Sequence, residues 1–179
     1  MVDLIIVPGF GDSGSTHWQS RWQETYPSTR RLQPGSWDAP DLDDWIAALE
    51  LAVGACDCPP VLVAHSLGCL LVAFWQQKSS LAAAGAFLVA VPDPATEGFV
   101  DSTPSFTKVP VTPLRFPSLI VCSTDDPYDT NGYAITKAEQ WRSDLCSVGN
   151  QGHINGQSGL GEWQFGQHLL RAFIEKLKG

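Results

Sequence analysis

The chain has 179 residues, and its 19 acidic and 11 basic side chains give a formal net charge of −8 at pH 7. No cluster of Lys or Arg interrupts this acidic balance, so we expect neither nucleic acid nor an anionic membrane as a partner. The length fits one hydrophobic core, and we predict a single domain over residues 1–179.

The start of the sequence and its cysteines bear on the cellular compartment. The apolar run at residues 4–7 is too short for a signal peptide, and no basic residue precedes it. No stretch approaches the roughly 18 apolar residues that span a bilayer. The five cysteines are an odd number, scattered partly through apolar segments, which favours reduced thiols. Together these features predict a cytoplasmic protein.

Apolar runs alternate with helix-like stretches, a pattern typical of β-α units around a parallel sheet. In chain order we predict a strand at 4–7, a helix at 16–26, a strand at 30–33, a helix capped by Asp41, a strand at 61–64, a helix at 67–78, strands at 86–91 and 119–122, a helix at 134–145, a strand at 146–148 and a final helix from Trp163 to beyond Phe173. Thr16 and Gln19 have the spacing of a capping box for the first helix.

The third strand and a proline-rich segment define the expected architecture. Residues 61–64 are apolar on both faces of the strand, which indicates a central position in a parallel sheet. Residues 92–117 contain six prolines, which disfavour a long helix. We therefore expect an irregular surface excursion there and no large cap. The predicted fold class is α/β, with one doubly wound, mostly parallel six-stranded sheet of order 2-1-3-4-5-6.

The segment Ala64-His65-Ser66-Leu67-Gly68 joins the third predicted strand to the next helix. It has the form of the nucleophile elbow of α/β-hydrolases, G-x-S-x-G, with Ala in the first place. Small residues at positions 64 and 68 keep bulk away from the strand-helix crossing, and the turn exposes the Ser66 hydroxyl. The alternative is a serine that only caps a helix. The position after an all-apolar strand favours the nucleophile.

A serine nucleophile needs a general base, and the base needs an orienting acid. In this fold they follow in the order Ser, Asp, His. His153 comes after a glycine and just before the last predicted helix, so we predict it to be the base. Asp125 and Asp126 compete for the role of acid. Pro127 restricts the backbone of Asp126, which favours Asp126, whereas Asp125 is expected to cap the turn or to face solvent.

Two other histidines have simpler interpretations. His65 precedes the nucleophile, and we expect it to pack or to hydrogen-bond behind the elbow. His17 belongs to the first predicted helix, where it either lines the site or faces solvent.

Residues 9–14 read G-x-G-x-x-G between a strand and a helix, a pattern that suggests dinucleotide binding. However, Asp12 would place a carboxylate against the pyrophosphate, and the second strand ends without an acidic residue for the ribose. The other interpretation is that the loop brings the backbone N–H of Phe10, together with that of Leu67, to a developing oxyanion. In the predicted sheet order the loops after strands 1 and 3 flank the switch point, where ligands bind.

A shallow apolar pocket is expected beside the nucleophile. The candidates for substrate contact are Gly11, Trp18, Phe99 and Phe106. For the last two, the alternative is that they anchor residues 92–117 to the core.

These motifs resemble the small serine-hydrolase family that contains the retinoblastoma-binding serine hydrolase and the bacterial YdeN-like proteins. The residues that carry the resemblance, which spans essentially the whole chain, are 7–13, 17–18, 64–68, 123–127 and 152–155. It implies a minimal α/β-hydrolase fold, a triad of Ser66, Asp126 and His153, and esterase-like activity. Ala64, where many members have Gly, and Phe10 in the oxyanion loop depart from the family pattern without removing a catalytic group.

The reaction that the sequence favours is acyl transfer to water. Ser66 attacks a small ester or amide, His153 takes the proton, and Asp126 holds the imidazole. No metal and no organic cofactor is expected. The alternatives are a non-catalytic protein-interaction module on the same fold and, ranked lowest, a nicotinamide-dependent oxidoreductase that uses the loop at residues 9–14.

Overall fold

In the computed structural model, which describes residues 2–179 without the side chain of Val100, six strands form one sheet in the order β2-β1-β3-β4-β5-β6. The strands are Leu4–Val7 (β1), Thr29–Arg31 (β2), Val61–His65 (β3), Gly85–Val89 (β4), Ser118–Cys122 (β5) and Asp144–Ser147 (β6). Every neighbouring pair is parallel. The predicted fold class and strand order are confirmed, and the sheet is parallel throughout.

Helices cover both faces of this sheet. They are Trp18–Thr25 (α1), Leu42–Gly54 (α2), Leu67–Lys78 (α3), Phe99–Ser102 (α4), Tyr133–Trp141 (α5) and Gln164–Lys176 (α6). In β3, Leu62 belongs to the core layer that also holds side chains of α2, α3 and α5, while Val63 belongs to the layer under α1 and α6. Since both faces of the central strands are buried, they consist of apolar residues almost without a break.

Two helix starts show how local chemistry sets the boundaries. The Asp41 carboxylate accepts the N–H of Asp44 at 3.0 Å and caps α2, as its sequence position predicts. The capping box predicted at Thr16 is wrong. The His17 N–H donates to the carbonyl of Gly14 in a turn that keeps Thr16 outside the helix. His17 itself is the N-cap of α1.

Left-handed residues end two elements earlier than the sequence suggested. Ala90 has φ 55° and stops β4 at Val89, before the predicted end at residue 91. Arg142 also has φ 55° and stops α5 at Trp141, so the chain enters β6 two residues before the predicted start. A non-glycine residue with positive φ is uncommon, and apolar periodicity does not reveal it.

The proline-rich segment 92–117 contains only the short α4 and a single 3₁₀ turn at Pro104–Phe106. This agrees with the expected irregular excursion, and no cap domain is evident within residues 2–179.

Within the described residues, no helix is both long and apolar enough to cross a membrane. All five cysteines are free thiols. In the same part of the chain, no group of three or more His, Cys, Asp or Glu side chains is placed to hold a metal ion.

Candidate active site

The turn between β3 and α3 holds Ser66 in a strained conformation. Its φ of 53° and ψ of −124° lie outside the regions that L-residues usually adopt. The backbone passes so close to β1 that a Cβ on Gly68 would lie 2.3 Å from the carbonyl oxygen of Val7. Only glycine fits at this position, which explains the last residue of the sequence motif. The serine is thereby fixed at the carboxyl end of the central strands.

Ser66, His153 and Asp126 form a continuous hydrogen-bonded chain. The Ser66 Oγ lies 2.8 Å from His153 Nε2, and both Asp126 carboxylate oxygens lie 2.9 Å from His153 Nδ1. The side chain of Asp126 is 1% exposed and that of His153 is 9% exposed. The carboxylate accepts the proton on Nδ1, which leaves Nε2 free to accept the serine proton.

The neighbouring carboxylate of Asp125 has different partners. Its Oδ1 accepts the Ser123 hydroxyl at 2.7 Å and the Gly152 N–H at 2.8 Å. These two hydrogen bonds, the Ser123 hydroxyl foremost, lower the pKa of the exposed Asp125 carboxyl. Asp125 thus ties the loop before His153 to the end of β5, and it makes no contact with the imidazole.

His65 lies beside the catalytic imidazole, with ring centroids 4.9 Å apart, and His17 lies beside His65. The Nε2–H of His65 donates to the backbone carbonyl of His153 at 2.9 Å, so it forms a hydrogen bond as expected, but His65 also lines the catalytic cavity. The ring of His17 stands 4.7 Å from that of His65 and lines the catalytic cavity, so His17 does not face solvent. Its Nδ1 accepts the Gln19 N–H at 3.1 Å. Burial lowers the pKa of both imidazoles, that of His17 to about 4, with the positive charge of Arg31 as a smaller cause.

A drop from about pH 7 to about pH 4.5 is therefore expected to destabilise the fold. Unfolded His17 binds a proton below the ordinary histidine pKa of 6.5, whereas folded His17, with its lowered pKa, binds one only near pH 4. The free energy of unfolding keeps its full value above the pKa of unfolded histidine. It falls by on the order of 2 to 3 kcal/mol as the pH drops from there to about 4.5. Denaturant unfolding of the wild type and of His17→Asn, which keeps a capping acceptor, measures the effect. An equally steep loss in the variant would contradict the assignment.

Ser66 and His153 open into a cavity of about 620 Å³. Phe10, Phe99 and Leu67 line it. Tyr128 and Glu97 also line the cavity, and sequence reasoning missed both. Tyr128 follows the proposed acid by two residues, and this proximity in the sequence could have identified it as a residue of the site. For Glu97 the sequence offers no comparable signal.

Three predicted substrate contacts lie elsewhere, which corrects the sequence-based assignment. Trp18 is 1% exposed, packs against Trp22 and donates its Nε1–H to the carbonyl of Ile154 at 2.8 Å. Phe106 is fully buried and packs edge-on against Trp45, so it anchors its segment to the core. Gly11 donates its N–H to the carbonyl of Trp37 at 3.0 Å and is not part of the cavity wall.

Arg31 holds the glycine-rich loop in place. Its guanidinium donates to Asp12 Oδ1 at 2.6 Å, to Ser20 Oγ at 2.8 Å and to Gln23 Oε1 at 2.7 Å. The loop is thereby fixed to α1, which begins only at Trp18, well past the last glycine of the motif. A dinucleotide-binding loop opens directly into its helix so that the pyrophosphate meets the helix N-terminus, and this loop does not.

A parallel sheet of order 2-1-3-4-5-6 with a serine on the turn after β3 defines the α/β-hydrolase class. A family model described as serine hydrolase matches residues 4–172, and the chain belongs to this serine hydrolase family. The resemblance noted in the sequence is confirmed at the level of the family.

Solved structures agree with this membership. A YdeN-like hydrolase from Pectobacterium atrosepticum is 33% identical, with a TM-score of 0.87 over 99% of this chain and 92% of the other. The ydeN gene product from B. subtilis is 20% identical, with a TM-score of 0.82 over 98% of this chain and 100% of the other. Est1E from Butyrivibrio proteoclasticus, solved with ferulic acid, is 15% identical, with a TM-score of 0.74 over 100% of this chain and 90% of the other. The last two likenesses are evidence of the fold alone. A search of curated protein sequences gave no match.

Proposed function

We propose that this chain is an esterase-like serine hydrolase that cleaves a small ester or amide through an acyl-enzyme on Ser66. The observation that carries the proposal is the chain of short contacts from Ser66 Oγ through the His153 imidazole to the buried Asp126 carboxylate. A serine, an imidazole and a carboxylate in this order, at a cavity, are the elements of acyl transfer. Membership of the serine hydrolase family supports the same reaction class.

Each residue of the proposed triad has one task. The Ser66 hydroxyl attacks the acyl carbon while His153 Nε2 takes its proton, and the same proton then passes to the leaving alcohol or amine. The Asp126 carboxylate keeps Nδ1 protonated and stabilises the imidazolium that forms. Water, activated by the same imidazole, releases the acyl group from Ser66.

The negative oxygen of the tetrahedral intermediate requires donors, and we assign this role to the backbone N–H groups of Phe10 and Leu67. Leu67 opens α3, so its N–H has no acceptor within the helix, and the helix dipole adds positive potential there. Gly9 packs against the elbow, so that a Cβ on it would lie 3.3 Å from the Leu67 nitrogen. Phe10, the next residue, lines the same cavity as Leu67.

Gly9→Ala is accordingly expected to lower kcat by about 10²–10³, the typical cost of a lost oxyanion donor. The new Cβ would lie 2.9 Å from the Cβ of Ser66, so the loop that carries the Phe10 N–H must move away. Steady-state kinetics with a short-chain nitrophenyl ester measures the change. Gly54→Ala is the matched control, because Gly54 ends α2 outside the cavity and the nearest atom that its Cβ would meet is Leu81 Cδ1 at 3.7 Å, an ordinary van der Waals contact. Similar kinetics for the two variants would argue against the assigned oxyanion site.

Labelling with a fluorophosphonate tests the proposed function directly. The reagent should form a covalent adduct on the peptide that contains Ser66, and the labelled protein should lose its activity toward small esters. Labelling of another serine, or full labelling with no ester or amide turned over, would contradict the proposal. No labelling of any serine would favour the protein-interaction alternative.

The alternative of a nicotinamide-dependent oxidoreductase has no support in the loop geometry described above. Esterases stand among the fold neighbours, Est1E with ferulic acid and a thermophilic esterase among them, so esters are the first substrates to assay.

The proposal needs no metal and no organic cofactor. The proposal also includes a single domain over residues 1–179 and a cytoplasmic location, where the cysteines would stay free thiols.

A further inference from the structure

One wall of the catalytic cavity lies beside the proton donor of the proposed reaction. The ring of Tyr128 stands edge-on to the His153 imidazole with centroids 4.6 Å apart, and both side chains line the cavity. In acyl transfer the imidazole hands its proton to the leaving group, which must therefore lie near His153. Tyr128, 43% exposed, is placed to contact that leaving group.

The segment after β4 is fastened to the same wall. The carbonyl of Tyr128 accepts the Asp93 N–H at 2.8 Å and the Thr96 hydroxyl at 3.4 Å. Glu97 follows Thr96 directly, and both Glu97 and Phe99 line the cavity. Glu97 and Phe99, which line the cavity, therefore belong to a segment that is hydrogen-bonded to Tyr128, the residue beside His153.

The formal charges on the side chains that line this cavity are all negative. No Lys or Arg occurs among the described residues that line it. Of the two carboxylates in the wall, Asp12 is ion-paired with Arg31 at 2.6 Å. Glu97 is exposed and forms no ion pair with any residue in the range 2–179. Burial lowers the pKa of His17 and His65 and so keeps both imidazoles neutral at pH 7. A ligand in this cavity therefore meets one free negative charge.

From Tyr128, Phe99 and Glu97, which form what we call the leaving-group wall, we infer the substrate class. It is an ester whose alcohol part carries a permanent positive charge, an alkylammonium group above all. Aromatic faces attract such cations through their quadrupoles, and the carboxylate of Glu97 adds a direct charge attraction. A neutral leaving group of the same shape gains neither interaction. An anionic leaving group would be repelled. This inference rests on the proposed function, because it takes the position of the leaving group from the proposed role of His153.

A pair of isosteric esters tests the inference. Acetylcholine and 3,3-dimethylbutyl acetate differ only in a quaternary nitrogen that replaces a quaternary carbon, and acetate release follows both at low salt. We expect kcat/KM to be roughly five-fold higher for the cationic ester, about two-fold from a cation–aromatic contact at an exposed site and the rest from the attraction of the exposed Glu97 carboxylate. The preference should shrink when salt is added, because Glu97 is exposed to screening. Equal values, or a preference for the neutral ester, would overturn the inference while leaving the hydrolase assignment intact.

The variant Glu97→Gln shows whether the preference comes from the cavity or from the overall negative charge. It should reduce the ratio of the two kcat/KM values to about two, the share that the aromatic rings retain. Glu139→Gln removes one charge from an exposed position outside the cavity and should leave the ratio unchanged. Equal effects of the two variants would assign the preference to net charge and overturn the role of this wall.

Binding separates failure of this inference from failure of the proposed function. Ligand-observed NMR with the Ser66→Ala variant compares acetylcholine with its neutral isostere without any turnover. Tighter binding of acetylcholine would support the cation site even where the wild type hydrolyses no ester or amide, an outcome that would contradict the hydrolase proposal alone. No difference in binding would overturn the cation site.

Discussion

Ser66→Ala is expected to lower kcat for a short-chain nitrophenyl ester by on the order of 10⁶, the loss typical of a triad nucleophile. The Ser66 Oγ is the hydroxyl that lies 2.8 Å from His153 Nε2, so its removal leaves the base without a nucleophile to activate. What activity remains would come from the oxyanion donors and from binding, which can still assist direct attack by water.

The substitution is suited to the question because it leaves the fold almost untouched. Alanine meets the same restriction as serine at φ 53°, and only one atom is removed from the wall of an open cavity. Thermal melting should therefore change little. Ser79→Ala, at the opposite end of α3, is the matched control and should retain full activity, since Ser79 is hydrogen-bonded to Leu81 and Arg115 and lies outside the cavity. Near-wild-type turnover in Ser66→Ala would end the hypothesis that this serine is the nucleophile.

The architecture could be predicted from the sequence because each element carries its own signal. Residues 61–64 are apolar on both faces of the strand, and that alone indicates a central position between two helical layers. The elbow was predictable since the crossing of β3 and α3 tolerates only small residues, as the contact of Gly68 with the carbonyl of Val7 explains. The order of serine, aspartate and histidine along the chain follows from the same topology.

The walls of the cavity were less predictable, because a residue type does not reveal which long-range contacts it makes. Trp18 and Phe106 are aromatic and near the site in sequence, yet packing against Trp22 and Trp45 draws them into the core. Glu97 is brought to the cavity by hydrogen bonds between its segment and the carbonyl of Tyr128, which no local pattern announces. Pairings over such sequence distances appear only in the folded chain.

The adjacent carboxylates of Asp126 and Asp125 should differ strongly in their effect on kcat. Asp126→Asn is expected to lower kcat by about 10⁴, the cost of presenting the wrong imidazole tautomer to the nucleophile. The carboxylate now accepts the Nδ1 proton at 2.9 Å. The Tyr128 N–H donates to Asp126 Oδ1 at 2.9 Å, which keeps the amide oxygen of asparagine at that position and places its nitrogen at the other. The nitrogen can only donate, so it favours the tautomer with its proton on Nε2, which cannot take the proton of Ser66.

Asp125→Asn is the matched control, since it makes the same chemical change one residue away. The Asp125 Oδ1 accepts the Ser123 hydroxyl and the Gly152 N–H, and the carbonyl oxygen of asparagine can accept both. The loop that carries His153 should therefore stay in place, and kcat should fall by less than about ten-fold, a small change beside the tautomer effect. One ester assay applied to both variants, with fluorophosphonate labelling rates as a second readout, decides between the carboxylates. Equal losses, or a larger loss for Asp125→Asn, would show that the carboxylate that matters to catalysis acts by holding the loop and not by orienting the imidazole.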